Sequence, residues 1–534
     1  MDGAATIEQA EPAAQEGPTT RRTRSAWRSR LGVIALALAL AGFFAGLVYI
    51  NCYWCNYPDD NDLDEVAWLS AHLSLSRPES FANQGYPPGL PVVLRLLTPL
   101  VGSFLRAAFL WQAIAATASV FFVHQITVAL TGRRSAGAIA IPVAALAGLP
   151  VFTSEFADGT STALFLGGLY ALVHRQVKDA SRSADRKGFF WFGLAAGASY
   201  LFRTHYLMLF AFVPACLVVS GLGWREIARG FLAFAAGFAA TAWPLWLMNT
   251  LAYGTPLNSG VSQYNIALAV VPNAFSWEDY PNTYNQWPLS RILHERPWDL
   301  VNNSIAQAVH TLSLRVSLVG AALGCAGMVL VPERQRRRLL VFSGALALVY
   351  VFLIIVPTRY TDRAFAPVAM LCSVLAACGA SELLARAQRP RWAAVFAVPA
   401  LLFTAYPTGT WPALEQRARE RRQNARIVQV MVENGMRSSA EVFSNVWNFY
   451  NLADPNFDTF YNYGGWIELD SEYARERPHP NASTPEEWQQ FFAEHGIRFA
   501  VLRPTGRAKS LAQHPPASWT RIHSGKGLSV YKLE

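Results

Sequence analysis

Long, nearly charge-free apolar runs alternate with polar links from residue 31 to about residue 408. The first run, LGVIALALALAGFFAGLVYI (Leu31–Ile50), has twenty residues and no charge. At about 1.5 Å per residue a helix of that length spans roughly 30 Å, the thickness of a bilayer's hydrocarbon core. It is too long for a signal-peptide core, and no small-residue cleavage site clearly follows it. The same pattern predicts further spanning helices at about 105–130, 136–151, 159–173, 188–202, 206–222, 231–251, 308–331, 339–357, 364–380 and 392–408, eleven spans in all.

Every second link is basic. RRTRSAWRSR precedes the first run, and TGRRS, HRQVKDASRSADRK, WREIARG, PERQRRR and ARAQRPR follow at alternate turns. Lys and Arg collect in short cytoplasmic loops. This sidedness predicts a cytoplasmic N-terminus. Residues 1–30 then form a cytoplasmic tail, and its Ala-, Glu-, Gly- and Pro-rich start predicts disorder. The intervening links, including two long outer loops at 51–104 and 252–305, are acidic, aromatic or mixed.

From about residue 410 the pattern becomes that of a soluble domain. ARERRQNARIVQVMVENG reads as a helix and SAEVFSNV as a strand. Thr484-Pro-Glu-Glu487 is a capping box that opens EEWQQFFAEHG. RFAVLRP reads as a buried strand, and SWTRIHS and LSVYKL flank a GKG turn as a hairpin. The order predicts an extracytoplasmic α/β domain over 410–534. The fold class expected is thus a polytopic α-helical membrane protein with a C-terminal α/β domain.

Composition agrees with that pattern: 52% of the chain is apolar and 15% charged. The net charge of +9 sits in short links rather than on an exposed face, which argues against a nucleic-acid partner and for membrane lipids. Cys216, Cys325, Cys372 and Cys378 lie in or beside apolar runs and read as packing residues. Cys52 and Cys55 form a CxxC with no second ligand pair, which argues against zinc and leaves a local disulfide and free thiols both open.

The candidate chemistry begins beyond Ile50. Five of the seven residues Asp59–Glu65 are acids. Asp62 and Glu65 can form a capping box for the helix EVAWLSAHL, but this leaves Asp64 and the Asp59–Asp60 pair unexplained. A calcium loop fails for want of the central Gly and closing Glu. A carboxylate in the first helical turn beside an apolar surface suits a base that takes a proton from a hydroxyl. Trp68 lies one turn after Asp64, as an aromatic wall of the kind sugar sites use or as an interfacial belt residue. The same face carries Glu155 and Asp158 on one link, Arg203 and His205 on another, and Arg359 and Arg363 on a third. Each alone reads most simply as a solvated helix end. Together they put carboxylates, which suit an acceptor hydroxyl, beside arginines, which suit a phosphate.

Several segments resemble the GT-C fold glycosyltransferases that use polyprenyl-phosphate sugars, the family 39-like enzymes related to protein O-mannosyltransferases and lipid A aminoarabinose transferases. Asp64-Glu65-Val-Ala-Trp68 resembles their Asp-Glu motif, and Gly85-Tyr-Pro-Pro-Gly-Leu-Pro91 the double-proline segment that starts a surface helix. Glu155-Phe-Ala-Asp158 resembles the second acidic motif, and Gly193–Arg203 a glycine-rich helix ending in Arg. Asn249 to Pro256 resembles an Asn and Gly-x-Pro signature. Arg363-Ala-Phe-Ala-Pro367 resembles the segment whose arginine meets the lipid phosphate, with Arg359-Tyr360 the alternative register.

The resemblance implies an inverting glycosyltransferase of the cell envelope in the plasma (inner) membrane. Asp64 would be the base, with Glu65 and Asp158 also catalytic. Glu155, Trp68, Arg203, His205, Arg359 and Arg363 would bind substrate. The partners implied are a polyprenyl-phosphate-linked sugar and an acceptor glycan, lipid or protein. A divalent metal is compatible but not implied. The rivals are a secondary transporter, against which the nearly charge-free spans and missing repeat speak, and a sensor or assembly protein with an outer ligand domain.

Overall fold

The computed structural model describes residues 18–50, 66, 70, 73–74, 76, 87–102, 104–153, 156–178, 186–257, 270, 289–315, 318–351, 365–387, 410–437, 441–444, 461–462, 484–504, 509–525 and 527–533. The apolar runs within that set are helical. They are α1 (Pro18–Val48), α2 (Gly89–Val101), α3 (Phe104–Thr131), α4 (Arg134–Phe152), α5 (Phe156–Lys178) and α6 (Arg186–Tyr200). After a 3-10 turn (Thr204–Met208) come α7 (Leu209–Val219), α8 (Trp224–Tyr253), α9 (Leu289–Glu295), α10 (Pro297–Arg315), α11 (Leu318–Leu330), α12 (Arg334–Tyr350) and α13 (Ala366–Arg386). Among the described residues, four stretches are long and apolar enough to cross a membrane by length and composition: Arg106–Thr131, Arg134–Phe152, Trp224–Ala252 and Ala366–Arg386.

Several boundaries differ from the expected ones. The basic RRTRSAWRSR segment, expected in the tail, is helical, because Pro18 suits the first helical position and Arg is a good helix former. WREIARG, expected as a loop, is the start of α8, where the Glu226 side chain accepts from the Gly223 N–H at 3.0 Å. The span expected at 206–222 opens as a 3-10 turn. The last expected span, 392–408, lies outside the described residues, as do Cys52 and Cys55.

Helices cross where glycine removes the side chain. A Cβ at Gly193 or Gly197 of α6 would overlap carbonyls of α8, and one at Gly237 would overlap Phe190. On the other side of the bundle a Cβ at Gly379 of α13 would overlap the Leu323 carbonyl of α11. Such close approach substitutes packing for the hydrophobic drive that lipid surroundings remove. Gly193→Val should therefore destabilise the protein by roughly 1–3 kcal/mol, because the blocking atoms are backbone. Gly42→Ala, whose Cβ meets nothing within 4 Å, should leave the melting temperature in detergent unchanged or raised. Equal effects would mean the α6–α8 crossing does not depend on these glycines.

The bundle has two chemically distinct ends. Arg133, before α4, pairs with buried Glu382 late in α13 at 3.2 Å, and Arg386 donates to the Leu330 carbonyl at 2.7 Å. A Cβ at Gly148, near the far end of α4, would meet Met370 early in α13. The two helices therefore run antiparallel. The basic links share one end, and the starts of α5 and α13 share the other.

The C-terminal residues form α14 (Thr410–Glu433), β1 (Val442–Ser444), β2 (Tyr461–Asn462), α15 (Pro485–Glu494), β3 (Phe499–Leu502), α16 (Lys509–Gln513), β4 (Thr520–Gly525) and β5 (Leu528–Lys532). The sheet order is β2-β1-β3-β5-β4, with β2, β1 and β3 parallel and the hairpin antiparallel. Alternate residues face opposite helices. Val442, Phe499 and Val501 cluster with Ile427 and Met431 of α14, while Phe443, Ala500 and Leu502 cluster with Trp488 and Phe492 of α15. Thr484 accepts from the Glu487 N–H at 3.3 Å and Glu487 returns the bond to Thr484, as the capping box predicts. The hairpin turns at Gly527, whose φ of 74° is left-handed.

Candidate functional site

Asp158 lies in the first turn of α5, and Arg203 follows the last turn of α6. Arg203 Nη2 donates to Asp158 Oδ2 at 2.7 Å. Asp158 is 3% exposed, and the Arg203 side chain is 15% exposed. These two charges are therefore not solvated helix ends. Ion pairs removed from water need supporting geometry, and the local sequence supplies it. Gln112, a polar residue inside an otherwise apolar run, donates to the Val151 carbonyl at 3.1 Å. Trp111 Nε1 donates to Thr160 Oγ1 at 2.9 Å, and Ser199 Oγ donates to the Ser161 carbonyl at 2.9 Å. Gly159 leaves room for the Gln112 amide, which a Cβ there would strike. These contacts tie α3, α4, α5 and α6 together around the aspartate.

His205 occupies the link after Arg203, outside the spanning helices. Its ring stacks on Tyr206 with centroids 4.8 Å apart, and Nε2 meets the Tyr350 hydroxyl at the end of α12. Burial first, and the Arg203 charge second, push its pKa from 6.5 down to about 3. The ring is therefore neutral at ordinary pH and offers no positive charge to a phosphate. Because the folded value lies below the unfolded one, protonation favours the unfolded chain, and this group weakens the fold as pH falls below 6.5. Sequence alone does not single out Tyr206 and Tyr350. A tyrosine inside an apolar run carries little signal beyond its polar tip.

The double-proline segment also reaches this end. Gly89 donates its N–H to the Leu201 carbonyl at 2.8 Å, and a Cβ there would lie 2.6 Å from that oxygen. Only glycine lets α2 begin that close to the backbone preceding Arg203. Val66, fully buried, shares a cluster with Leu90 and Leu94 of α2, Phe104 of α3, Ala157 and Phe202. Ala157 and Phe202 are the chain neighbours of Asp158 and Arg203. Ser70 Oγ donates to the Val66 carbonyl at 2.6 Å, and Arg95 of α2 donates to the Leu73 carbonyl. The Asn249–Pro256 signature acts locally. Asn249 Nδ2 donates to the Pro256 carbonyl at 3.0 Å while Gly254, at φ 71°, ends α8.

Of the sequence candidates, Asp158, Arg203 and His205 are brought together. Asp64, Glu65, Trp68, Glu155, Arg359 and Arg363 lie outside the described residues. Their flanks do not: Val66 follows Glu65, Thr153 and Phe156 bracket Glu155, and Val351 and Phe365 bracket the arginine loop. Among the described residues no three His, Cys, Asp or Glu side chains form a metal-ligand group.

No protein-family model matches the sequence, and no curated protein does. Solved structures do. ArnT from Cupriavidus metallidurans bound to undecaprenyl phosphate superposes with a TM-score of 0.57 at 14% identity, over 93% of this chain and 97% of that one. Its apo state gives 0.58 at 14% identity, over 94% and 98%. The archaeal oligosaccharyltransferase AglB from Archaeoglobus fulgidus, in complex with an inhibitory peptide and a dolichol-phosphate, gives 0.51 at 12% identity, over 89% and 69%. The chain thus has the GT-C fold that its motifs resemble.

Proposed function

We propose, from this GT-C membrane fold and the charged end of its bundle, that the protein is an inverting glycosyltransferase. It would move a sugar from a polyprenyl-phosphate donor to an acceptor hydroxyl on the outer face of the membrane. The observation that carries the reading is the convergence of candidate-bearing segments on the buried Asp158–Arg203 pair. Residue 64 is two residues from Val66, so chain geometry limits it to about 7 Å from that Cα. The loop with Arg359 and Arg363 leaves from beside Tyr350, which reaches His205, and returns at Phe365, at the start of α13. The polyprenyl phosphates held by the similar structures support a lipid-linked donor.

In this reading Asp64 takes the proton of the acceptor hydroxyl. The oxygen attacks the anomeric carbon from the face opposite the phosphate, the sugar–phosphate bond breaks, and the lipid phosphate leaves with the electron pair. Inversion follows from the single displacement. Arg363 stabilises charge growing on the leaving phosphate, which lowers the barrier because that charge is greater in the transition state. Glu65 and Glu155 orient the acceptor, and Trp68 walls the sugar. Asp158 and Arg203, bound to each other, position the links that carry these groups. The orientation proposed puts the N-terminus in the cytoplasm and residues 410–534 outside. A reporter fused after Glu534 should then be active only outside the cytoplasm, and cytoplasmic activity would reverse the orientation.

The phosphate assignment is tested by three variants. Arg363→Lys keeps the charge but loses the planar fork, so donor use should weaken with partial activity left. Arg363→Ala should lose more, and Arg359→Ala less than either. The check is the dependence of transfer on donor concentration. A dead Arg359→Ala beside a normal Arg363→Ala would move the phosphate site to Arg359.

A further inference from the structure

At the basic end of the bundle lies a cavity of about 300 Å³ that the transfer reaction does not use. It opens where α5 and α7 end and α6 and α12 begin. Gln176 on its wall is eighteen residues along α5 from Asp158, roughly 27 Å at helical rise. Leu172, Leu217 and Phe342 line it with hydrocarbon, buried Gln176 adds an amide to the wall, and exposed Arg334 and half-buried Arg338 mark its mouth.

Three features of that mouth point to an anion. Arg334 and Arg338 stand one turn apart on α12, and neither has an ion-pair or hydrogen-bond partner among the described residues, whereas their neighbour Arg336 is engaged by Glu333 at 2.6 Å. Arg334 is also the first residue of the seventeen-residue α12, whose unbonded first-turn amides and dipole favour negative charge. Gln176 is 4% exposed, yet its side-chain amide makes no hydrogen bond among the described residues. Its backbone carbonyl instead accepts from Gln335, which steadies the wall.

The surroundings favour a lipid over a soluble anion. The floor is hydrocarbon. The outward faces of Val218 and Val219 are 59% and 64% exposed, as a lipid-facing helix end requires. Trp224, 78% exposed, stands beyond Leu222 of the cavity lining, as interfacial tryptophans do. Arg175, Lys178, Arg186 and Lys187 add positive charge around this end.

We propose that the cavity binds an anionic phospholipid of the leaflet at the basic end, with the phosphate between Arg334, Arg338 and Gln176 and the first methylenes on the apolar floor. A volume of this size is small for a ligand pocket and suits a head group rather than a whole lipid.

The test uses the purified full-length protein in neutral detergent, titrated with short-chain phosphatidylglycerol, short-chain phosphatidylcholine or inorganic phosphate while the melting temperature is followed. Phosphatidylglycerol should raise it by several degrees, and the other two should not. The double substitution Arg334→Gln/Arg338→Gln should raise the half-saturating concentration at least about tenfold. Gln176→Leu, which keeps both charges, should weaken the response in the same direction and stands in should the double variant not melt cooperatively. An unchanged response in these variants, or no response in the wild type, overturns the site. An equal response to inorganic phosphate overturns the lipid and leaves a soluble anion as the ligand.

Discussion

Asparagine at position 64 should lower the transfer rate on the order of 100-fold or more, with the amount of folded protein unchanged. The substitution keeps the shape and removes the proton acceptor. Val66 and Ser70 downstream are helical, and the Ser70 hydroxyl donates to the Val66 carbonyl. Asp62→Ala should behave differently. As the helix cap that the sequence predicts, Asp62 should cost about 1 kcal/mol of stability on removal and leave turnover intact. Turnover at saturating donor, measured beside the circular dichroism of each variant, separates the two roles. Near-normal turnover in Asp64→Asn rules out the base.

Arg203→Ala should destabilise the protein on the order of 3–5 kcal/mol, because it strands a 3% exposed carboxylate without its guanidinium counter-charge. Asp158→Asn should cost less, since the neutral amide still accepts a hydrogen bond from the arginine. Removing both charges, as Asp158→Asn/Arg203→Met, should recover much of the loss, because apolar or neutral replacement of a whole buried pair is often near neutral. The thermal or denaturant stabilities of the four proteins form a double-mutant cycle. Additive losses would mean that the 2.7 Å contact does not couple the two residues.

Reading the chain succeeds where the signal is local. The run expected at 105–130 is α3, Phe104–Thr131, because an apolar stretch of that length, with no Asp, Glu, Lys or Arg after Arg106, has one way to satisfy its backbone in hydrocarbon. The Thr484 capping box and the hairpin around Gly527 are local chemistry, and they appear where the residues predict them. The Asp158–Arg203 pair joins residues 45 apart, so sequence suggests a shared face but not a contact. The neutral state of His205 arises from burial by Tyr206 and Tyr350, which only the folded chain brings together. Gln112 is the missed signal: an amide in an apolar span needs a partner, and its partner lies at the site.

The most direct measurement is transfer itself. Purified protein in proteoliposomes receives a radiolabelled polyprenyl-phosphate sugar together with an envelope extract as acceptor source. Label in the acceptor and free polyprenyl phosphate should appear in equal amounts with the wild type. The new glycosidic bond should have inverted anomeric configuration, and Asp64→Asn should abolish both products. Label that crosses the vesicle membrane still joined to its lipid, with no polyprenyl phosphate released, would contradict the account and identify a transporter.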